Sequence, residues 1–137
     1  MVAIADVQAF LDETFPLSPN IVEAVGDRQA RIRHPVDHTH LRPGGTVSGP
    51  TMMALADSSA YVAIFSEFGI LPMAVTTSLN INFLNRPAAG VDLIAAAELL
   101  KVGRRLVVVD VRIYSDGNAA VVAQASVTYS IPPRSQA

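Results

Sequence analysis

The segment between Ser48 and Gly69 constrains the fold most, because it predicts a long helix with almost no polar face. Ser48 can cap the first turn, Pro50 is pre-set for the start of a helix, and Gly69 supplies a stop. Asp57 and Glu67 are the only charged residues in this segment. A helix that is apolar around its whole circumference is a buried one. We therefore expect a helix over residues 50–68 that the rest of the chain covers.

Beyond this helix the hydrophobic period changes to two, which is typical of β-strands. In the first strand, residues 75–83, apolar side chains alternate with Thr76, Ser78, Asn80 and Asn82 on a polar face. Three further strands are expected over residues 91–101, 106–114 and 119–131, joined by a turn at Gly103 and a hairpin at residues 115–118. The four strands are predicted to follow one another in meander order.

The part of the chain before the long helix predicts smaller elements. Apolar spacing indicates a short helix over residues 4–15, and two modest strands are expected over residues 21–25 and 29–34. The predicted fold class is α+β, with a curved antiparallel sheet wrapped around one long buried helix and a short N-terminal helix beside it. No composition shift marks a second domain, so residues 1–137 are expected to form one.

Composition narrows the classes of partner. Half of the 137 residues are hydrophobic, so a second copy of the chain is expected to cover part of the surface. The net charge is −2 and no basic run is present, which argues against nucleic acid. The absence of cysteine fits a reducing compartment, and the acidic N-terminal segment does not resemble a signal peptide. The cytoplasm is the predicted location, and no stretch is apolar enough to predict a membrane span.

Asp57 is the most informative candidate for chemistry, because it lies on an otherwise apolar stripe of the predicted helix. A carboxylate rarely occupies such a position without a partner. A base or nucleophile in a cleft and an Asp satisfied by a hydroxyl or amide are equally good interpretations. Ser48, Gly49 and Pro50 form the second candidate, since amides at a helix start can hold an oxyanion, although capping alone explains most such sequences.

The spacing of these two candidates predicts a dimer. Gly49 and Asp57 are eight residues apart, which is about 12 Å along a helix axis. If both groups act on one carbonyl, its carbon has to lie about 3 Å from both the oxyanion donor and the attacking group. One chain can hardly supply both groups, so Asp57 of one subunit and Gly49 of its partner are predicted to meet across the interface of a homodimer.

The remaining polar residues carry weaker signals. His34, His38 and His40 lack an obvious third ligand, so no metal site is expected. The sequence also contains no phosphate-binding loop, dinucleotide fingerprint or nucleophile elbow. Arg86, Arg104 and Arg105 lie at predicted turns, where they could meet the phosphates of a ligand or remain solvated surface cations.

The runs HLRPGGTVSGPTMMALADSSAYVA, VTTSLNINFLNRP and KVGRR resemble the PaaI-like branch of the hot-dog thioesterases over about residues 20–132. The resemblance implies that Asp57 is the catalytic carboxylate and that the Gly49 amide polarises the thioester carbonyl. It places Thr76 where some members carry a hydroxyl that positions the nucleophilic water. Ser48 stands where the family usually has His, and Arg42 where it usually has Asn.

The resemblance implies hydrolysis of a small or medium acyl-CoA by a homodimer or a dimer of dimers, with no metal or redox cofactor. Coenzyme A would then be part of the substrate. Ser48 and Thr76 are assigned supporting catalytic contacts, and the substrate or coenzyme A contacts are assigned to Arg42, Asn80, Arg86, Arg104 and Arg105. Two alternatives stay open: a non-catalytic acyl-CoA or small-ligand binding protein, and a hot-dog dehydratase or hydratase, which would need a His beside the acid.

Overall fold

The computed structural model describes residues 2–133 and contains two helices, a 3-10 turn and six strands in that range. In chain order they are α1 (Ile4–Thr14), β1 (Ile21–Gly26), β2 (Gln29–His34), the 3-10 turn (His38–His40), α2 (Gly49–Phe68), β3 (Val75–Phe83), β4 (Leu93–Val102), β5 (Leu106–Ser115) and β6 (Val121–Ser130).

The long helix α2 forms where the sequence predicts it and is capped as expected. Ser48 Oγ accepts a hydrogen bond from the Thr51 amide at 3.3 Å, and the helix ends at Gly69, whose φ of 78° is accessible to glycine. From Ser59 to Phe65 every residue is buried. The N-terminal half is less covered and leaves Met53 and Ala54 exposed. The described residues therefore leave one flank of that half uncovered.

The six strands form one antiparallel sheet in the order β1-β2-β4-β5-β6-β3, and α2 packs on it. The predicted meander is correct for β4, β5 and β6 but wrong for β3, which pairs with β6 instead of β4. The segment after β3 carries the chain across the sheet, so that β4 can pair with β2. Hydrophobic alternation identifies a strand but not its neighbour, which is why the sequence pattern missed this. The crossing makes β3 an edge strand.

A β-bulge near the start of β3 changes which way its side chains point. The register with β6 shifts between Thr76 and Ser78, so Thr77 is the extra residue. Leu79 and Ile81 pack against the core, and Thr76 also points inward, toward α2. The expectation that Thr76 shares the outer polar face with Asn80 is therefore wrong, because strict alternation fails across a bulge. Asn80 itself is exposed.

Helix α1 closes one side of α2. Val7 and Leu11 are buried, and the Phe10 ring lies 5.7 Å from the ring of Phe65 in an edge-on contact. This aromatic packing orders the N-terminal segment over the buried helix. Among the described residues, no helix is both long enough and apolar enough to cross a membrane.

Candidate active site

The Asp57 carboxylate is held by two hydroxyl groups from neighbouring strands. Thr76 Oγ1 donates to Asp57 Oδ1 at 2.7 Å, and the Tyr129 hydroxyl donates to the same oxygen at 2.8 Å. The Tyr129 hydroxyl also lies 3.0 Å from the backbone oxygen of Asp57. Both bonds fall on Oδ1, so within residues 2–133 Oδ2 has no hydrogen-bond partner. The half-buried carboxylate is thus fixed in orientation with one oxygen free.

The environment of Tyr129 suits its hydroxyl to donate a hydrogen bond to this carboxylate. Burial, together with the nearby Asp57 charge, raises the pKa of Tyr129 far above its ordinary value, so its hydroxyl keeps its proton. Its ring stacks on that of Tyr61 with 5.8 Å between centroids. Tyr129 and Thr76 are also direct partners in the β3–β6 ladder. The sheet register therefore brings both donors to one carboxylate.

The start of α2 carries one free backbone donor. The Thr51 amide bonds to Ser48 Oγ, the Met52 amide bonds to the Ser48 carbonyl at 3.3 Å, and Pro50 has no N–H. Only the Gly49 N–H among these has no acceptor in the described part of the chain. A side chain at Gly49 would begin 3.3 Å from Phe83 Cζ, so a larger residue would press on the Phe83 ring. The free amide lies at the positive end of the helix dipole.

The two halves of the candidate site do not meet within one chain. Asp57 lies beside Thr76 near the start of β3, whereas Gly49 lies beside Phe83 at its end. Ser48 stays next to Gly49, with its Oγ 2.8 Å from Thr51 Oγ1 and committed to the helix cap. The structure thus brings Thr76 to Asp57 and Ser48 to Gly49 as two separate groups.

The predicted substrate-binding arginines are exposed at three different places. Arg42 lies in the turn before α2, where its amide bonds to the Thr46 carbonyl at 2.8 Å. Arg86 follows β3, and Arg104 and Arg105 form the turn between β4 and β5. None of the four forms an ion pair with a residue between 2 and 133. These arginines are free to bind an anion, but within one chain they do not lie close together.

The histidines lie together rather than beside Asp57. The rings of His34 and His40 are 4.4 Å apart, and His38 is exposed in the same loop. In residues 2–133 no three His, Asp or Glu side chains form a group that could hold a metal ion.

Tyr129 is the one contact of Asp57 that the sequence interpretation missed. The alternation of β6 predicts that Tyr129 points inward, because Val127, two residues earlier on the same strand, is buried. Its closeness to Asp57, however, depends on β6 pairing with β3. Because the predicted strand order separated these two strands, no signal in the sequence linked Tyr129 to the site.

A model of the thioesterase superfamily matches residues 44–122, a range that includes Gly49, Asp57 and Thr76. A candidate thioesterase from Silicibacter sp. TM1040 is 41% identical over 97% of this chain and 94% of its own, with a TM-score of 0.88. No curated protein matches the chain.

Two more distant structures share the fold. One is a variant of the phenylacetic acid degradation protein PaaI from Thermus thermophilus, 24% identical over 90% of this chain and 99% of its own, with a TM-score of 0.74. The other is a hypothetical thioesterase from Streptococcus pneumoniae solved with coenzyme A, 21% identical over 85% of this chain and 91% of its own, with a TM-score of 0.75. The matches together confirm the predicted hot-dog fold.

Proposed function

The chain belongs to the thioesterase superfamily, as a PaaI-like thioester hydrolase with the hot-dog fold, and from this premise we propose that it hydrolyses small or medium acyl-CoA thioesters at Asp57. One observation carries the proposal: the carboxylate is anchored through Oδ1 by Thr76 and Tyr129 and leaves Oδ2 free to react. The free Gly49 amide supplies the donor that a developing oxyanion requires.

The reaction uses water as its only co-reactant. Asp57 Oδ2 takes a proton from water while the water oxygen bonds to the thioester carbon, and the carbonyl electron pair moves onto its oxygen. The Gly49 amide of the partner subunit stabilises this oxyanion. When the carbonyl re-forms, the C–S bond breaks, and the thiolate takes the proton back from Asp57. The products are the free acid and coenzyme A, and no metal or redox cofactor takes part.

Direct attack by Oδ2 is the other route open to the same carboxylate. It would release the thiolate first and leave an acyl anhydride on Asp57, which water then hydrolyses. Single turnover in ¹⁸O-labelled water tests for the anhydride, because water that attacks it at the Asp57 carbon leaves a label in the peptide that contains Asp57, whereas activation of water at the thioester carbon never labels this peptide.

Pairing of two chains through β3 supports a site shared between subunits. β3 is an edge strand whose outer backbone edge is available. If two copies pair antiparallel about the centre of the strand, near Leu79, the Thr76 end of one meets the Phe83 end of the other. Asp57 of one subunit then lies near Gly49 of its partner. The exposed apolar side chains around this edge suit burial by a second copy: Met53 (41% exposed), Met73 (69%), Val75 (58%), Phe83 (51%) and Leu84 (56%).

The same pairing gathers arginines for coenzyme A. Arg86 lies just beyond the Phe83 end of β3, while Arg104 and Arg105 lie near the Thr76 end, since Leu106 pairs with Ser130 and the Ile131 amide bonds to the Arg105 carbonyl. Antiparallel pairing brings these opposite ends of two chains together. Arg42, in the turn before α2, adds a further cation on the Gly49 side. We assign these arginines to the phosphates of coenzyme A.

The proposal is tested by thiol release from a panel of short, medium and aromatic acyl-CoAs. Asp57→Asn keeps the oxygen that accepts from Thr76 and Tyr129 but removes the base, so we expect turnover to fall about 100-fold to 10,000-fold. Glu67→Gln is the matched control, because it removes a carboxylate from the same helix outside the site.

Two outcomes would contradict the assignment. Full activity in Asp57→Asn would remove Asp57 from the chemistry. Saturable binding of acyl-CoA without turnover by the wild type would favour a binding protein. A hydratase has less support, because no described histidine hydrogen-bonds to Asp57.

A further inference from the structure

Tyr61 lies four residues after Asp57 on α2, about one helical turn, and contacts the surroundings of the Asp57 carboxylate at two places. Its ring stacks on that of Tyr129, with 5.8 Å between the centroids and 22° between the ring planes. Its hydroxyl donates to the Pro72 carbonyl at 3.0 Å. Tyr61 is only 9% exposed, and within residues 2–133 its side chain makes no hydrogen bond to Asp57. Any effect of Tyr61 on Asp57 therefore passes through other residues.

The ring of Tyr61 restrains Tyr129. The Tyr129 hydroxyl donates to Asp57 Oδ1 at 2.8 Å, so the position of the Tyr129 ring decides whether this bond forms. Stacking on Tyr61 limits the tilt of that ring, and aromatic pairs of this kind are stabilised beyond the area that they bury. Phe10 and Phe15 contact the Tyr61 ring in turn, at centroid distances of 6.3 and 6.4 Å. Helix α1 and the residue after it thus help to fix the ring that supports Tyr129.

The hydroxyl of Tyr61 restrains the turn that leads into β3. Burial raises the pKa of Tyr61, so the hydroxyl keeps its proton and donates to the Pro72 carbonyl. Pro72 lies in the turn just before β3, four residues ahead of Thr76. Thr76 supplies the second hydrogen bond to Asp57 Oδ1. Both donors to this carboxylate are therefore connected to Tyr61, one by stacking and one through the chain.

We infer that Tyr61 is a positioning residue that holds both hydroxyl donors of Asp57 in place. Its ring acts on Tyr129, and its hydroxyl acts on Thr76 through the turn at Pro72. This inference rests on the proposed thioesterase function. Neither contact reaches the free Oδ2, so their loss leaves the base present but less well oriented. A residue with this role changes kcat and leaves KM nearly constant, whereas a residue that only fills the core changes stability and leaves kcat constant.

The first test compares kcat and KM for the best acyl-CoA substrate in two variants of Tyr61. Tyr61→Leu removes the ring and the hydroxyl, so we expect kcat to fall about tenfold with little change in KM. Tyr61→Phe keeps the stack and loses only the bond to Pro72, so its kcat should lie between those of Tyr61→Leu and the wild type.

Leu93→Ala is the control for a loss of packing, because Leu93 is fully buried on β4, which pairs with neither β3 nor β6. This control should lose stability and retain kcat. Wild-type kcat in Tyr61→Leu, or an equal loss of kcat in Leu93→Ala, would overturn the inference.

A double-mutant cycle tests whether Tyr61 acts through Tyr129. Independent effects multiply, so the double variant Tyr61→Leu/Tyr129→Phe would then be about a hundredfold slower than the wild type. If Tyr61 acts by holding the Tyr129 hydroxyl, the loss from Tyr61→Leu becomes smaller once that hydroxyl is absent. The double variant should therefore fall well short of a hundredfold loss, and a full hundredfold loss would contradict the inference.

A second measurement needs no turnover. The Tyr129 side chain is buried and its hydroxyl is bonded to Asp57, so the ¹H signal of this hydroxyl should exchange slowly with water. Exchange should be faster in Tyr61→Leu and not in Leu93→Ala. If no thioester is hydrolysed but exchange is faster, the thioesterase proposal fails and the positioning of the donors stands. If thioesters are hydrolysed and Tyr61→Leu matches the wild type in kcat and in exchange, the inference fails alone.

Discussion

Two hydroxyl groups fix the orientation of Asp57, and they differ in how far the sequence could reveal them. Thr76 was found because the run around it resembles a known family. Tyr129 was not found, because its role depends on the pairing of β6 with β3. Asp57 itself stood out as a charge on an apolar helix. The sequence could therefore locate the reacting group but not the complete set of contacts that holds it.

Removal of either hydroxyl should slow turnover without weakening substrate binding. Tyr129→Phe keeps the stack on Tyr61, and Thr76→Val keeps the shape of the side chain, but each removes one donor to Asp57 Oδ1. A carboxylate held by one bond samples more orientations, so we expect kcat to fall about tenfold in each variant. KM should change little, because neither hydroxyl reaches Oδ2. Steady-state kinetics on the best acyl-CoA measure both constants.

Matched controls separate positioning from general damage. Thr77→Val alters the neighbouring hydroxyl, which bonds to the Thr128 carbonyl at 3.2 Å away from Asp57. Tyr114→Phe makes the same chemical change as Tyr129→Phe on β5. Both controls should retain wild-type kcat. An equal loss in the controls, or a rise in KM with constant kcat, would argue against a positioning role.

At the scale of whole elements, Arg33 of β2 connects three separate segments. Its guanidinium lies 2.7 Å from Glu23 on β1, 3.0 Å from Asp92 before β4 and 2.8 Å from Asp116 in the β5–β6 hairpin. The hydrogen bonds from Arg33 hold the pKa of Glu23 and of Asp116 below their usual values. Individual strands were predictable from alternation, but this cluster was not, because Arg33 and Asp116 are 83 positions apart in sequence.

The sign of the pH dependence follows from these lowered pKa values. Carboxyl groups that are more acidic in the folded chain stabilise it above their unfolded pKa values, and this contribution is lost as pH falls through the folded ones. The wild type should therefore lose stability below about pH 4.5, near the ordinary carboxyl pKa values. Arg33→Met should be destabilised at neutral pH, and its difference from the wild type should shrink toward pH 3. Urea unfolding at several pH values measures this.

Arg28→Met provides the comparison, because Arg28 pairs with a single exposed carboxylate, Glu67, at 3.2 Å. An exposed single pair contributes little, so this variant should follow the pH dependence of the wild type. If Arg33→Met and Arg28→Met lose the same small amount of stability at every pH, the cluster around Arg33 does not stabilise the sheet.

At the scale of the whole molecule, the position of β3 decides whether the site can be complete. In the predicted meander β3 would pair with β4, and Tyr129 on β6 would lie away from Thr76 and Asp57. The observed order leaves β3 at the edge, with exposed apolar side chains around it. The distance along α2 leads to the same expectation of a shared site, since about 12 Å of helix separates Gly49 from Asp57.

A mixture of two inactive variants tests the shared site directly. Asp57→Asn removes the base, and Gly49→Val covers the oxyanion amide and crowds Phe83, so each homodimer should be inactive. A mixed dimer has two sites. One site contains both substitutions and is inactive. The second site is intact, because the Gly49→Val chain supplies Asp57 and the Asp57→Asn chain supplies Gly49. Unfolding and refolding an equal mixture gives half mixed dimers, each with one of two sites active, so about a quarter of wild-type activity should return. If the site were contained within one chain, no activity would return. The control is a mixture of Asp57→Asn with the double variant Asp57→Asn/Gly49→Val. This mixture forms no complete site, so its activity is the background for the measurement.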